Sequence, residues 1–119
     1  MQVRSLADAV SFVTADGSTI RELFGLPTGG VEQQSLAEAT LTPGQATQRH
    51  YHRESEEIYF VLDGEGEMEL DGERQRVGVG DAIAIPRDAW HELRAEGDRP
   101  LRILCSCAPP YRHEDTFFE

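Results

Sequence analysis

The feature that most constrains the fold is the regular recurrence of turn residues between short apolar or alternating segments. The run Ile58–Leu62 ends at Asp63-Gly64, and the alternating segment Gln75–Val79 ends at Gly80-Asp81. Turns about every ten residues, separated by such segments, are typical of an antiparallel β-sandwich or barrel. We therefore predict an all-β domain of about nine or ten strands.

The predicted strands are all short. They cover Ser35–Leu41, Ala46–His52, Ile58–Leu62, Glu67–Leu70, Gln75–Val79, Ala82–Ile85, Trp90–Arg94 and Leu101–Cys107, with two more inside Val10–Phe24 around Asp16-Gly17. The run Ile58–Leu62 contains only apolar and aromatic residues, which predicts a strand that is buried on both faces or nearly so. Only Ser5–Val10 has a helical tendency, and it is weak.

Length and charge narrow the classes of function. The 119 residues fit one domain, so residues 1–119 are treated as a unit. The net charge of −11 repels phosphate, so the sequence predicts no nucleic-acid partner and no binding to an anionic membrane surface. No segment approaches the roughly 18 apolar residues of a membrane span. The N-terminus has no apolar signal region, so we expect a cytoplasmic protein.

The two cysteines, Cys105 and Cys107, agree with a reducing compartment. On an extended chain they are too close in sequence to form a normal disulfide with each other. They alternate with Leu101 and Ile103 on the last predicted strand, which favours small packing residues that face the interior. The alternative is a thiol in a pocket near a metal.

Three histidines and one glutamate are the candidate functional residues. His50 and His52 are two residues apart on a predicted strand, so their imidazoles point to the same face. Glu57 begins a buried strand, where a carboxylate is costly unless it is paired or binds a metal. His91 follows about 40 residues later, and neutral imidazole is the commonest protein ligand of metals.

Other interpretations of these residues remain open on this evidence alone. A histidine on a strand is commonly a hydrogen-bonded structural residue. Glu57 could instead pair with Arg53 or Arg87. His113 lies in a polar tail without a partner at suitable spacing, and we expect it to be solvated.

The spacing of these residues resembles the two motifs of the cupin family. The first motif spans residues 44–64 and the second spans 80–95; the matching positions are Gly44, His50, His52, Glu57 and Gly64, then Gly80, Pro86 and His91. Two positions depart from the second motif. Asp88 stands where the family usually has glycine, and Ala95 where it usually has asparagine. Neither position provides a metal ligand in the family.

The resemblance implies a single small cupin barrel, which is a double-stranded β-helix or jelly roll. It also implies that His50, His52, Glu57 and His91 bind one divalent metal. We expect His91 to close the site from the opposite end of the barrel. Three nitrogens and one oxygen suit Mn, Fe, Ni, Cu, Co or Zn, and the ligand types do not choose among them.

Strand alternation predicts which side chains line the pocket. Gln48 is in phase with His50 and His52, Tyr59 with Glu57, and Leu93 with His91. Tyr59 is a candidate catalytic residue; the alternative is a core tyrosine whose hydroxyl bonds to the backbone. The remaining lining is expected to be apolar.

Two functions from different classes follow. The first is a metal-dependent enzyme, an oxygenase, isomerase or lyase, that acts on a small polar molecule. The second is a non-catalytic module in which a structural metal holds a sugar or a carboxylate. We also expect a homodimer, because Val10–Phe24 carries more apolar side chains than one small barrel end needs to bury.

Overall fold

A computed structural model describes all residues from Met1 to Glu119. Its strands are β1 (Phe12–Val13), β2 (Thr19–Phe24), β3 (Ser35–Leu41), β4 (His50–His52), β5 (Glu56–Asp63), β6 (Glu65–Leu70), β7 (Glu73–Gly78), β8 (Ala82–Ile85), β9 (His91–Glu96), β10 (Leu101–Ala108) and β11 (Thr116–Phe118). Single turns of 3-10 helix cover Leu6–Asp8 and His113–Asp115. The prediction of an all-β chain is confirmed.

The strands form two antiparallel sheets. The first has the order β1-β2-β3-β10-β5-β8 and the second β11-β4-β9-β6-β7. Neighbours such as β3 and β10 are far apart in sequence, which is the crossed connectivity of a jelly roll. None of the helices is long and apolar enough to cross a membrane.

The core lies between the two sheets, on the faces that they turn toward each other. It consists of Ala39, Leu41, Tyr59, Val61, Met68, Val77, Ile85, Ala89, Leu93, Ala95, Leu101 and Ile103. The members from one strand are spaced by two residues, as expected for a strand with one face toward the interior. The candidate functional residues occupy the same faces, so packing of the core also positions the site.

The prediction that Ile58–Leu62 is buried on both faces is wrong. Tyr59 and Val61 point inward and are 3% and 0% exposed, whereas Ile58 and Phe60 are 51% and 41% exposed. The strand belongs to an antiparallel sheet whose outer face meets solvent. Apolar residues on that outer face hid the alternation in the sequence.

The segment around the paired histidines is less regular than predicted. Only His50–His52 form a strand, whereas Ala46–His52 was expected to be extended throughout. Ahead of β4 the chain still follows β9, because the Thr47 amide donates to the Leu93 carbonyl at 2.9 Å. The C-terminal strand β11, which the sequence did not indicate, pairs with the other edge of β4.

A buried carboxylate ties three strands together on the outer face of the first sheet. Glu38 is 1% exposed and accepts hydrogen bonds from Arg21 Nε at 2.7 Å and from Arg102 Nε at 2.9 Å. The hydrogen bond from Arg21 is the main cause that lowers the pKa of Glu38, and Arg102 adds to it. The ionised form of Glu38 therefore stabilises the folded chain.

We expect Glu38→Gln to lower the free energy of unfolding at pH 7 by about 1.5–3 kcal/mol, the range for hydrogen bonds to charged groups. The pKa is lowered by folding, so this contribution is present above the ordinary glutamate pKa and is lost as pH falls through the folded value. Urea unfolding at pH 7 and in acid measures it. The exposed Glu73→Gln should change little, and a Glu38→Gln penalty that persists unchanged in strong acid would contradict the ion-pair explanation.

Candidate metal centre and cavity

The structure brings the three predicted histidines together. His50 and His52 lie on β4, and His91 lies on the neighbouring strand β9, where it is the cross-strand partner of His50. All three are buried. The expectation that His91 reaches the site from the opposite end of the barrel is wrong, because β4 and β9 are adjacent. Glu57 is the residue that comes from the opposite sheet, on β5.

The potential ligand atoms surround one point. One nitrogen from each of His50, His52 and His91 lies within 4.8 Å of the other two. Glu57 Oε1 is 3.3 Å from His52 Nε2 and 3.8 Å from His91 Nε2. The carboxylate therefore adjoins the histidine cluster, as the cupin resemblance implies for a fourth ligand.

Each imidazole is oriented by a backbone carbonyl. Nδ1 of His50 lies 2.7 Å from the Gln48 carbonyl oxygen, and Nδ1 of His91 lies 2.9 Å from that of Ala89. Nδ1 of His52 is 3.2 Å from the Asp115 carbonyl oxygen. A carbonyl only accepts, so these contacts assign the proton to Nδ1 and leave the Nε2 lone pair free. Such hydrogen bonds are usual behind metal-bound histidines.

The electrostatics of the site favour neutral imidazoles at His50 and His91 beside an ionised carboxylate. Burial lowers the pKa of His91 to about 4 and also lowers that of His50. Burial lowers the pKa of His52 too, but the Glu57 carboxylate outweighs it and the net pKa is raised. Burial opposes ionisation of Glu57, yet His52 and His91 hold its pKa below the ordinary value.

Two buried atoms at the centre lack a hydrogen-bond partner. They are Nε2 of His91 and Oε1 of Glu57, which face the same point from opposite sheets. An unpaired buried polar atom costs about 1–3 kcal/mol, and two at one place need an explanation. A divalent metal ion would satisfy both, so the donor set fits such an ion on structural as well as chemical grounds.

Glu57 is held by a cysteine and not by an arginine. Sγ of Cys107 donates to Glu57 Oε2 at 3.3 Å, which leaves Oε1 directed toward the histidines. The alternative pairing of Glu57 with Arg53 or Arg87 is therefore wrong. Cys105 and Cys107 both line the interior cavity, and burial raises the pKa of each thiol.

Asp115 supports the site, and the sequence analysis missed it. Its carboxylate accepts from the backbone amides of Arg53, Glu54 and Ser55 at 3.0, 2.9 and 3.0 Å. Its backbone carbonyl accepts a hydrogen bond from Nδ1 of His52. Asp115 therefore fixes both the loop after β4 and the imidazole of His52. It stands two residues after the exposed His113 in a polar segment, and no periodic signal marks it as buried.

A cavity of about 80 Å³ extends from the metal centre along the inner face of the first sheet. Tyr59 and Leu93 line it, as predicted from strand alternation, together with His50, His52 and Glu57. Gln48 does not line it; its side chain is exposed because the chain leaves the regular strand before His50. Thr47 takes the inward position, and its Oγ1 accepts from the Leu93 amide at 3.0 Å.

A jelly-roll barrel with a buried histidine cluster beside a glutamate defines the class of the protein as a cupin. The sequence model of the cupin domain matches residues 37–107, so the chain belongs to the cupin family. It is 48% identical over 105 residues to an uncharacterized protein of Methanocaldococcus jannaschii, covering 88% of this chain and 84% of that protein. It is 32% identical over 93 residues to the polyketide synthase CurC of Streptomyces cyaneus, covering 78% of this chain and 60% of that protein.

Solved structures agree with the assignment. A protein from Planctomyces limnophilus superimposes with a TM-score of 0.84 and 28% identity, covering 99% of this chain and 96% of that chain. The polyketide cyclase RemF from Streptomyces resistomycificus superimposes with a TM-score of 0.79 and 26% identity, covering 97% and 89%. A gentisate 1,2-dioxygenase of Aquipseudomonas alcaligenes is 37% identical over 62 residues, 51% of this chain and 18% of the enzyme. The relatives therefore include both a cyclase and a dioxygenase.

Proposed function

We propose that the protein is a metal-dependent enzyme that binds one divalent transition metal through His50, His52, His91 and Glu57. The observation that carries this proposal is the convergence of two unpartnered buried atoms, His91 Nε2 and Glu57 Oε1, on one point beside a cavity. A purely structural cluster would be expected to pair these atoms internally.

The ion would supply Lewis-acid polarisation of a substrate oxygen at its open coordination positions. The chain supplies the rest. Nδ1 hydrogen bonds orient the three imidazoles, Cys107 orients Glu57, and the apolar walls exclude water. These roles are compatible with an isomerase, a lyase or a cyclase, and the last is supported by the similarity to RemF.

Tyr59 is the residue that we assign to proton transfer. Its ring lies 6.1 Å from that of His91, it lines the cavity, and burial raises its pKa well above the ordinary value. The hydroxyl therefore stays protonated near neutral pH and can donate a proton or hydrogen bond to a substrate oxygen.

The test combines metal identity with a proton-transfer assay. Protein purified without added metal is analysed by mass spectrometry for metals. It is then incubated in D₂O with a panel of small hydroxyketones while NMR follows deuterium incorporation. We expect Mn, Fe, Ni, Cu or Co, with exchange that Tyr59→Phe abolishes while metal content is unchanged. Stoichiometric zinc without any exchange would support the non-catalytic binding module, and metal-dependent oxygen consumption would support an oxygenase.

We further propose that the protein is a homodimer assembled through its N-terminal region. Strand β1 is an edge of the first sheet, and Val10 and Val13 are 85% and 70% exposed. An exposed apolar edge strand favours pairing with another chain. We expect light scattering at micromolar concentration to give twice the 13.3 kDa of one chain and Val13→Asp to give the monomer mass. A parent mass near 13.3 kDa would contradict the dimer.

A further inference from the structure

We infer that the cavity selects small molecules that carry no negative charge and present hydroxyl or amino hydrogen-bond donors on an apolar skeleton. This inference rests on the proposed function, because it concerns the substrate of the same metal centre. From the sequence we expect a small polar molecule as the substrate, and this inference restricts that class to uncharged or cationic molecules. It therefore disfavours a carboxylate as the ligand.

The first observation is the sign of the charge on the cavity wall. Three carboxylates, Asp16, Glu22 and Glu57, are among its 22 lining residues. All 11 basic residues of the chain are arginines, and none of them lines the cavity. Arg21, which neighbours Glu22 in sequence, points to the outer face of the sheet and pairs there with Glu38. Strand alternation thus directs Glu22 toward the cavity and Arg21 toward the outer face of the sheet.

The second observation is that the two acids near β2 form no ion pair. Oδ1 of Asp16 accepts from the Ser18 amide at 2.9 Å and from Ser18 Oγ at 2.6 Å, which are neutral donors. Burial raises the pKa of Glu22 and outweighs the opposing effects of a hydrogen bond with Thr28 and of the positive charge of Arg4. Oδ2 of Asp16 takes part in neither of these hydrogen bonds, and the Glu22 carboxylate has acceptor positions beyond the one used by Thr28, so both acids can accept from donors on a bound molecule.

Loading the metal does not reverse this charge balance. Counted at formal charges, a divalent ion contributes +2 and the three carboxylates contribute −3, which leaves −1 with the imidazoles neutral. A bound carboxylate or phosphate would lose its hydration without gaining an arginine or lysine partner, which is strongly unfavourable. A hydroxyl or amine would instead donate to Asp16 or Glu22 while an oxygen reaches the metal.

The other residues that line the cavity determine which kind of molecular skeleton the ligand can have. Phe12, Ile20, Leu41 and Leu101 line the cavity, so an apolar skeleton is favoured. Together the walls suit a compact phenol, polyol or amino alcohol rather than a sugar acid or an aromatic acid.

The two cavity cysteines provide a test that does not need the natural ligand. Cys105 and Cys107 are the only thiols of the chain, and both line the cavity. Alkylation rates with iodoacetamide, which is neutral, and iodoacetate, which is anionic and of similar size, are measured by mass spectrometry at pH 8.5. The ratio of the two rates is compared with the ratio for 2-mercaptoethanol, a neutral free thiol.

We expect the protein to prefer iodoacetamide about tenfold more than 2-mercaptoethanol does, the size of effect given by like charges several ångströms apart. Asp16→Asn together with Glu22→Gln should return the ratio toward that of the free thiol; the asparagine amide retains an oxygen that can accept from Ser18. The matched control Glu73→Gln makes the same kind of charge change outside the cavity and should leave the ratio unchanged. A parent ratio equal to that of the free thiol would overturn the inference. Because burial raises the pKa of both thiols, both alkylations are slow, and where neither reagent reacts the ratio is measured with a neutral and an anionic organomercurial, which also attack protonated thiols. Failure of both kinds of reagent would overturn the inference, because the cavity would then be closed to small molecules.

Metal content measured on the same samples separates this inference from the proposed function. If the protein never binds metal but still reacts selectively with iodoacetamide, the charge preference of the cavity is supported and the proposal of a metal-dependent enzyme is contradicted. If the protein binds metal but reacts with the two reagents in the same ratio as the free thiol, the metal centre is supported and the charge preference is contradicted.

Discussion

Replacing His50 by alanine is expected to abolish stoichiometric metal binding, with an affinity at least about 100-fold weaker than that of the parent. Loss of an outer hydrogen-bond partner alone typically costs about 10- to 100-fold, and in the proposed site His50 would bind the ion directly. His50 also stands directly opposite His91 on the adjacent strand, so its removal opens the centre of the cluster. His52→Ala should behave in the same way.

Metal content by mass spectrometry and melting temperature in the presence and absence of a chelator measure this effect. Metal at about 100 times its dissociation constant adds about 2.7 kcal/mol to the parent, and the variant should lack this increment. The matched control is His113→Ala, since His113 is exposed and outside the cluster. If His50→Ala has the same metal content and the same response to chelator as the parent, the ion binds elsewhere.

Replacing Gly64 by alanine is expected to destabilise the fold by about 2–4 kcal/mol, through backbone strain and overpacking. Gly64 has φ +81°, a conformation that side chains rarely adopt. A Cβ there would also overlap the Pro100 carbonyl oxygen and lie 3.0 Å from Leu101 Cα. Both contacts are with backbone, which cannot move without disturbing the start of β10.

Gly72→Ala is the matched control for Gly64→Ala. Gly72 has φ +91°, but nothing lies within 4 Å of a Cβ at that position. It should therefore cost only the conformational term of about 1–2 kcal/mol. Chemical denaturation of both variants measures the difference, and equal losses would mean that the close approach to β10 has no energetic weight.

The fold was largely predictable because turns and alternation act locally. The segments Ser35–Leu41 and Ala82–Ile85 appear in the structure with the predicted bounds. The burial of Ile58–Leu62 was not predictable, because an apolar outer face looks in sequence like a second buried face. Strand β11 was missed because a three-residue strand at the chain end carries too few residues for a periodic signal.

The candidate site was predictable to the extent that its residues lie on regular strands. His50, His52 and His91 cluster as the motif spacing implies, and Tyr59 and Leu93 follow from alternation. Gln48 was misplaced because alternation was extended beyond the end of β4. Asp115 and its amide contacts depend on a loop that meets residues about 60 positions earlier, a relation that no local pattern encodes.

The most direct test of the metal centre is anomalous diffraction from a crystal of the protein, measured at the absorption edge of the metal that is found in the purified protein. A single peak is expected about 2.0–2.2 Å from Nε2 of His50, His52 and His91 and from a carboxylate oxygen of Glu57, the usual range for such ligands. A crystal grown with the metal that shows no peak among these four side chains, or shows its peak elsewhere, would contradict the account.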